Sequence, residues 1–508
     1  MLFNSFLFIF IFLPTVLLIH YYMVRRKSAS TILGFLTLAS LCFYTYWYPP
    51  YLVLLLVSIC LNYICGILIE KGKKSPIRKA YLTLGIVCNL GLLCYYKYAG
   101  FFVENINTFS GGNWPVLQIA LPLGISFFTF QQLIYLVDVY KQKVRPAGFV
   151  EYTLFVSFFP HLIAGPILHY KELVPQFHQM KEKGFQSTTF SAGLALFSIG
   201  LFKKIILADT LALHVDPLFK AVENGYTPSF LEAWAATIAY CFQIYFDFSG
   251  YTDMAIGLAL LFGIKLPCNF NAPYKATGYI EFWRRWHITL SNFLRDYLYI
   301  PLGGNRKGGL RKYQNLIITM LIGGLWHGAS WNFVLWGGFH GMFIALNHGL
   351  RHYFYLSAHS WRAVGWLLTF LTVTLLWVLF RAESISGATA IYKGLFDFSN
   401  VIIPQNVWLI FPEIAQICLS QIGIGSGELQ YFKTVPLFFI ISLVTFITFM
   451  MPNTARLFDL NVPERDTPLL GSRWHFQPNK SWAIMCAVLF IMAITLLERE
   501  SPFVYFQF

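Results

Sequence analysis

Two histidines stand where this 508-residue chain could do chemistry. His327 lies in Gly323, Gly324, Leu325, Trp326, His327, Gly328, an apolar stretch, and His287 lies in a basic, aromatic segment, Glu281 to Tyr297. A neutral imidazole, with a reference pKa of about 6.5, suits general-base removal of a hydroxyl proton during acyl transfer. An ionisable ring set where hydrocarbon would otherwise be is a functional-site hypothesis by default. The alternative for His327 is a buried ring that only hydrogen-bonds a neighbouring helix. For His287 it is a ring sitting half wet at a membrane surface.

The elements around these rings differ. On a 3.6-residue period, Trp283, Trp286, Leu290, Phe293 and Tyr297 fall on one broad face, with Arg284, His287, Ser291 and Arg295 in a polar stripe beside it. That pattern predicts one amphipathic, cationic helix in the interface plane, whose arginines, Arg284, Arg285 and Arg295, meet anionic headgroups or an anionic substrate. A basic turn follows, Asn305 and Arg306 to Lys312, suited to a phosphate-bearing donor such as coenzyme A on the cytoplasmic side. Around Trp326 and His327, and again from Trp336 to Gly341, small residues let neighbouring backbones approach closely.

Composition bounds the class. With 57% hydrophobic, 19% aromatic and only 12% charged side chains, the chain lies outside soluble composition. Several apolar runs reach the ~20 residues that cross a ~30 Å hydrocarbon core, so an all-α polytopic membrane protein is expected. The net charge of +14 sits in short loops between those runs, as the positive-inside rule expects, and does not indicate nucleic acid. The nine cysteines lie mostly in apolar runs without a Cys-x-x-Cys pair, so neither disulfides nor a metal site is expected. Walker, dinucleotide, Gly-x-Ser-x-Gly and His-Glu-x-x-His motifs are all missing, which removes the usual parts of nucleotide hydrolysis, redox work, serine hydrolysis and metalloproteolysis.

Taken in order, spans at about 3–23, 31–47, 51–69, 81–97 and 116–139 alternate with the basic clusters Arg25 to Lys27, Lys71 to Lys79 and Lys141 to Arg145. A retained first span with the N-terminus outside follows. Residues 149–168 contain Pro160, His161, Gly165 and Pro166, which favours a re-entrant hairpin over a straight crossing. Lys203 and Lys204 either snorkel from a span near 190–213 or mark a break in it. The stretch 230–263 is too long for one ordinary crossing and carries Asp247 and Asp253, which either tie helices together or line a site. Further apolar runs near 363–380 and 433–451 flank an insertion at 382–432, and a last helix at 481–497 leads to an aromatic tail. The sequence contains no inverted repeat of the kind that favours a transporter, although a proton relay through His327 and Asp247 is the rival reading.

Several of these segments together resemble the membrane-bound O-acyltransferase family, in particular its bacterial branch that includes the alginate O-acetyltransferase. They are Phe158, Pro160, His161, Leu162, Ala164, Gly165 and Pro166; Tyr245 to Tyr251; Trp283 to Ser291 with Arg295, Asp296 and Tyr297; Gly303 to Arg306; and Leu325 to Gly328. The resemblance is strongest over about 120–345, within one polytopic domain spanning 1–508 that ends in the helix and tail 481–508. It implies about eleven transmembrane helices with re-entrant and interfacial pieces. It also implies a funnel and tunnel shaped by Asp247, Arg284, Arg285, Ser291, Arg295, Asn305, Arg306 and Trp326, with His327 catalytic and His287 a second polar site. No cofactor would be bound permanently. Acetyl-CoA would be the cytosolic donor, and an exported polysaccharide such as alginate, peptidoglycan or cellulose the acceptor. The expected setting is the bacterial inner membrane with its lipids, and the expected partner a separate periplasmic transferase of the SGNH-hydrolase type. Related acylation systems carry a similar aromatic tail whose tyrosine receives the acyl group in transit, which makes Tyr505 a relay; its alternative is an aromatic interface anchor.

Overall fold

Among the described residues, five helical segments are long and apolar enough to cross a membrane: Phe8–Arg26, Pro50–Lys71, Ile77–Ser110, Ser187–Glu223 and Arg362–Arg381. Ala29–Thr45, Val435–Met450 and Lys480–Ile494 are shorter apolar helices. This computed structural model describes residues 1–72, 76–117, 119–306, 308–353, 361–421, 424–432, 434–460 and 474–498. Tyr505 and the rest of the aromatic tail lie outside the described residues.

The helix Phe230–Leu261 is the axis of the fold. It starts at a capping box, in which Glu232 accepts from the Ser229 backbone N–H, and from Ala239 onward every residue is buried. Its 32 residues form one unbroken helix of about 48 Å, longer than the ~30 Å hydrocarbon core, so any single crossing must tilt. The helix Ser187–Phe202 lies against it at backbone contact. A Cβ placed on Gly200 would stand 2.6 Å from the Gly250 carbonyl oxygen, and one on Gly257 2.7 Å from that of Gly193. Only glycine permits this approach.

Close packing forces a choice on Lys203 and Lys204. The helix changes at Lys203 into a π-helical turn, Lys203–Ala208, before continuing as Asp209–Glu223. Both lysines point inward at this break instead of snorkelling. Lys204 pairs with Asp247 and Asp209, each at 2.7 Å, and Lys203 pairs with Asp253 at 2.6 Å. Thr454 bridges in, donating to Asp253 at 3.0 Å. The mid-helix carboxylates thus tie three elements together, which satisfies buried charges that would be costly alone.

The proline-containing stretch is broken, as its sequence predicts, and does not form one straight helix. The helix Phe149–Ser157 stops at Phe158, a short turn Phe159–Leu162 follows, and the chain stays buried and irregular to Leu168 before the helix Tyr170–Lys183. Irregular backbone at this depth is tolerated because protein surrounds it. The insertion contains the helix Ile385–Phe396 and a short parallel ladder pairing Val401–Pro404 with Ile424–Gly427.

Candidate functional site

His327 is the last residue of the helix Gly309–His327, and the chain turns at Gly328 into the helix Trp331–Tyr353. The two helices touch through glycine: a Cβ on Gly324 would lie 2.2 Å from the Phe333 carbonyl oxygen, and one on Gly337 2.2 Å from that of Met320. This hairpin sets the His327 ring, 4% exposed, among aromatic rings. Ring centroids of Trp326, Trp336 and Phe380 stand 4.9, 5.1 and 5.2 Å away. One turn further, buried His340 accepts a hydrogen bond from Trp283 Nε1 at 3.3 Å.

The expected single amphipathic helix over 281–297 is not formed. The chain instead makes two short helices, Tyr279–Arg285 and Ile288–Leu294, broken at His287, with a π-helical turn Arg295–Tyr299 after them. His287 adopts φ +43°, ψ +54°, a left-handed conformation rare for a residue with a side chain and costing about 1–3 kcal/mol. The segment 269–271 holds it there. The Ile288 N–H donates to the Asn269 carbonyl at 3.0 Å, and the Asn271 N–H to the Arg285 carbonyl at 2.9 Å. Asn269 Oδ1 accepts from the Thr289 N–H at 3.1 Å and from its hydroxyl at 2.7 Å. This pairing on both sides of His287 overrides the helical period. It also turns Trp283 and Trp286 into the protein interior, where Trp286 packs on Trp377 at 4.9 Å and Trp283 on Trp336 at 5.9 Å. His287 is fully buried and not half wet, with its ring 6.5 Å from that of His327 and 4.7 Å from that of Phe248.

His327 and Trp326 line a pocket of about 120 Å³ together with Lys97, Ser126, Phe127 and Trp47. Trp47, 48% exposed, and Leu121, 38% exposed, carry it to the surface. Three elements fix which surface. The helix Gly309–His327 starts beside Arg306, Arg311 and Lys312 and runs about 28 Å to His327. The helix Ile77–Leu93 starts at Arg78 and Lys79 and leads to Lys97. The helix Ile125–Tyr140 starts at the pocket and ends at Lys141 and Lys143. The pocket therefore opens on the face opposite the basic turns. At the basic face, a second pocket of about 630 Å³ is lined by Glu172, Gln176, Lys265 and Asp459, with Leu168 and Pro267 at its inner wall. That wall adjoins His287's support, because the Ile167 N–H donates to Thr289 Oγ1 at 3.0 Å.

The fold thus brings together His327, His287 and Trp326 and leaves the other sequence-selected residues elsewhere. Asp247 is engaged by Lys204. Arg285 is buried against Glu281 at 2.8 Å and donates to the Asn271 carbonyl at 3.3 Å. Ser291 is half-buried and gives its N–H to the His287 carbonyl at 3.0 Å. Arg284, Arg295 and Arg306 are exposed, Arg295 being held by Asp296 at 2.7 Å, while Asn305 accepts from the Tyr299 hydroxyl at the surface. Among the described residues no cluster of His, Cys, Asp and Glu is placed to hold a metal ion. Sequence reasoning missed Lys97. Its signal was available: a cation about twenty residues beyond the basic cluster that starts its helix belongs to neither loop.

Known proteins share this sequence widely. The sequence model described as the membrane-bound O-acyltransferase family matches residues 110–385. A peptidoglycan O-acetyltransferase of Helicobacter pylori is 38% identical, covering 100% of this chain and 98% of its own. A probable alginate O-acetylase of Pseudomonas aeruginosa is 41% identical over 85% of this chain and 80% of its own. A teichoic acid D-alanyltransferase of Streptococcus thermophilus is 28% identical over 51% of this chain and 68% of its own.

Proposed function

The chain belongs to the membrane-bound O-acyltransferase family, and from that premise we propose that it moves an acetyl group from cytosolic acetyl-CoA across the bacterial inner membrane for O-acetylation of an exported polysaccharide. The acceptor is alginate or another envelope polymer, such as peptidoglycan or cellulose, acylated by the same mechanism. One observation carries the proposal: a buried imidazole, His327, lines a pocket open to the face opposite the basic turns, with a second buried imidazole, His287, 6.5 Å inward. With the basic turns in the cytosol, this pocket opens to the periplasm and the N-terminus is periplasmic. The wide pocket at the basic face then receives the thioester, and its inner wall leads towards His287.

In this reading His327 is the general base. It takes the proton of the attacking hydroxyl while His287 orients the reacting groups between the two pockets. Trp326, Trp336 and Phe380 give the imidazole a low-dielectric surround, where electrostatic effects are larger than in water. A separate periplasmic transferase of the SGNH-hydrolase type serves as the partner that passes acetyl to the polymer.

The test supplies labelled acetyl-CoA to the cytosolic side of inverted membrane vesicles from a host that makes its native polymer. Label is expected to leave the thioester and appear in ester linkage on the far side. Label that crosses still attached to coenzyme A would refute the reading. Tyr505 is proposed as an acyl relay on the same route. Tyr505→Phe keeps the ring and removes the hydroxyl that would carry the acyl group, so polymer acetylation should be lost. Unchanged acetylation in that variant would assign the tyrosine to anchoring.

A further inference from the structure

Lys97, half-buried, differs from the buried lysines Lys203 and Lys204. It lies in the π-helical turn Cys94–Tyr98, a distortion of the kind that often marks functional positions. Lys203 and Lys204 meet carboxylates at 2.6 and 2.7 Å, whereas among the described residues no carboxylate pairs with Lys97. Its ammonium group instead reaches across more than two hundred residues to the end of the His327 helix. It donates to the carbonyl oxygens of Trp326 at 2.6 Å and His327 at 2.9 Å, and the neighbouring Tyr98 hydroxyl donates to that of Leu325 at 2.9 Å. The last carbonyls of a helix have no intrahelical partner and carry its negative dipole end, so an ammonium group there is favourable.

Capping alone does not require a lysine. Tyr98 serves one of these carbonyls with a neutral hydroxyl, and a charge at this depth is expensive unless it is used. The ammonium has three N–H donors, and two are taken by the carbonyls. Lys97 also lines the His327 pocket. An amine that can carry positive charge therefore sits beside the proposed general base, on the wall of the pocket that the reacting carbonyl would enter.

We propose that Lys97 is a catalytic residue that stabilises the oxyanion of acyl transfer, an assignment that rests on the acetyl-transfer reading above. The acceptor hydroxyl loses its proton to the His327 imidazole as its oxygen forms a bond to the thioester carbonyl carbon. The carbonyl π electrons move onto oxygen, and this oxyanion is met by the third N–H of Lys97. Collapse restores the carbonyl, breaks the carbon–sulfur bond and releases a thiolate, which takes the proton back from the His327 imidazolium. The ester and the free thiol are the products, and no oxidant or reductant is needed.

The experiment uses the full chain in inverted vesicles with labelled acetyl-CoA, comparing wild type, Lys97→Gln, Lys97→Arg and, as a control, His327→Ala. Glutamine keeps N–H donors for the two carbonyls and removes the charge. It should lower the maximal rate by about 10²–10³-fold, the scale of one lost oxyanion donor, with the half-saturating acetyl-CoA concentration unmoved. Arginine restores the charge and should recover the rate to within about tenfold of wild type. A Lys97→Gln rate within about threefold of wild type overturns the assignment. So does a Lys97→Gln protein whose loss of rate is matched by a lowered melting temperature in detergent, since that is a cap and nothing more. Wild-type vesicles that leave the label on the thioester overturn the acetyl-transfer reading itself, and Lys97's role with it. Active wild type beside an inert His327→Ala and an unaltered Lys97→Gln overturns Lys97 alone.

Discussion

Replacing His327 by alanine is expected to lower polymer acetylation by about 10²–10⁴-fold, the range that a positioned general base contributes, while the protein still inserts and folds. The two halves of that expectation come from different parts of the structure. The loss is chemical: among the pocket's polar groups His327 has a neutral nitrogen base suited to accept a hydroxyl proton, whereas Lys97 is already a donor to two carbonyls. The survival is structural. The imidazole is the last side chain of its helix, and what anchors that helix end is backbone, the carbonyls held by Lys97 and Tyr98. Alanine keeps those carbonyls and enlarges a pocket that already exists. Ester-linked acetyl on the envelope polysaccharide, measured in a strain carrying the variant as its sole copy, and the melting temperature of the purified protein separate the two. Acetylation near wild type would remove His327 from the reaction.

Gly337→Val should be the most damaging change of a residue that touches no reactant. A Cβ there would stand 2.2 Å from the Met320 carbonyl oxygen and 3.0 Å from the Gly324 Cα, so two backbones would have to separate. Overpacking of a rigid contact costs about 1–3 kcal/mol and occasionally more, and this one is backbone on backbone, at the upper end. The helix that moves is the one ending at His327, so activity should disappear with the stability even though both histidines are intact. Gly349→Ala, in the same helix with no atom within 4 Å of its would-be Cβ, is the control. It should leave activity unchanged and raise stability slightly, since alanine is favoured over glycine in helices by about 0.5–1 kcal/mol. A folded, active Gly337→Val protein would show that the 309–353 hairpin does not need its glycine seam.

Gly324 and Gly337 were legible in the sequence as close-packing residues, and His327 as an ionisable ring set among small residues in an apolar run. The break at Phe158 was also readable from proline and the basic turns from charge, whereas 230–263 was readable only as a stretch too long for one ordinary crossing and not as the axis of the fold. The single helix expected over 281–297 fails for a definite reason. Residues 281–297 satisfy a helical period on each side of the break, and the force that opens it comes from Asn269 and Asn271, outside any local window. The lysine–aspartate network was undecided for the same cause. Lys203 and Asp253 are fifty residues apart, and only packing through Gly200 and Gly250 makes them neighbours. Lys97 reaches further still, which is why a single-segment reading gave it to the end of a span.

Behind His327, the rings of Trp336, Trp377 and Phe380 pack at 5.1–5.8 Å from one another, and Trp286 closes on Trp377 at 4.9 Å. Rings this close leave no room for a file of water molecules. An energised membrane drives each elementary charge with about 2.3 kcal/mol per 100 mV, so any wet thread through such a protein would discharge the ion gradient that powers the cell. An aromatic layer packed this way is expected to keep water, and with it ions, from threading past His327. Thinning it, with Trp377→Ala for instance, should make cells leak protons and grow poorly whether or not any polymer is being modified.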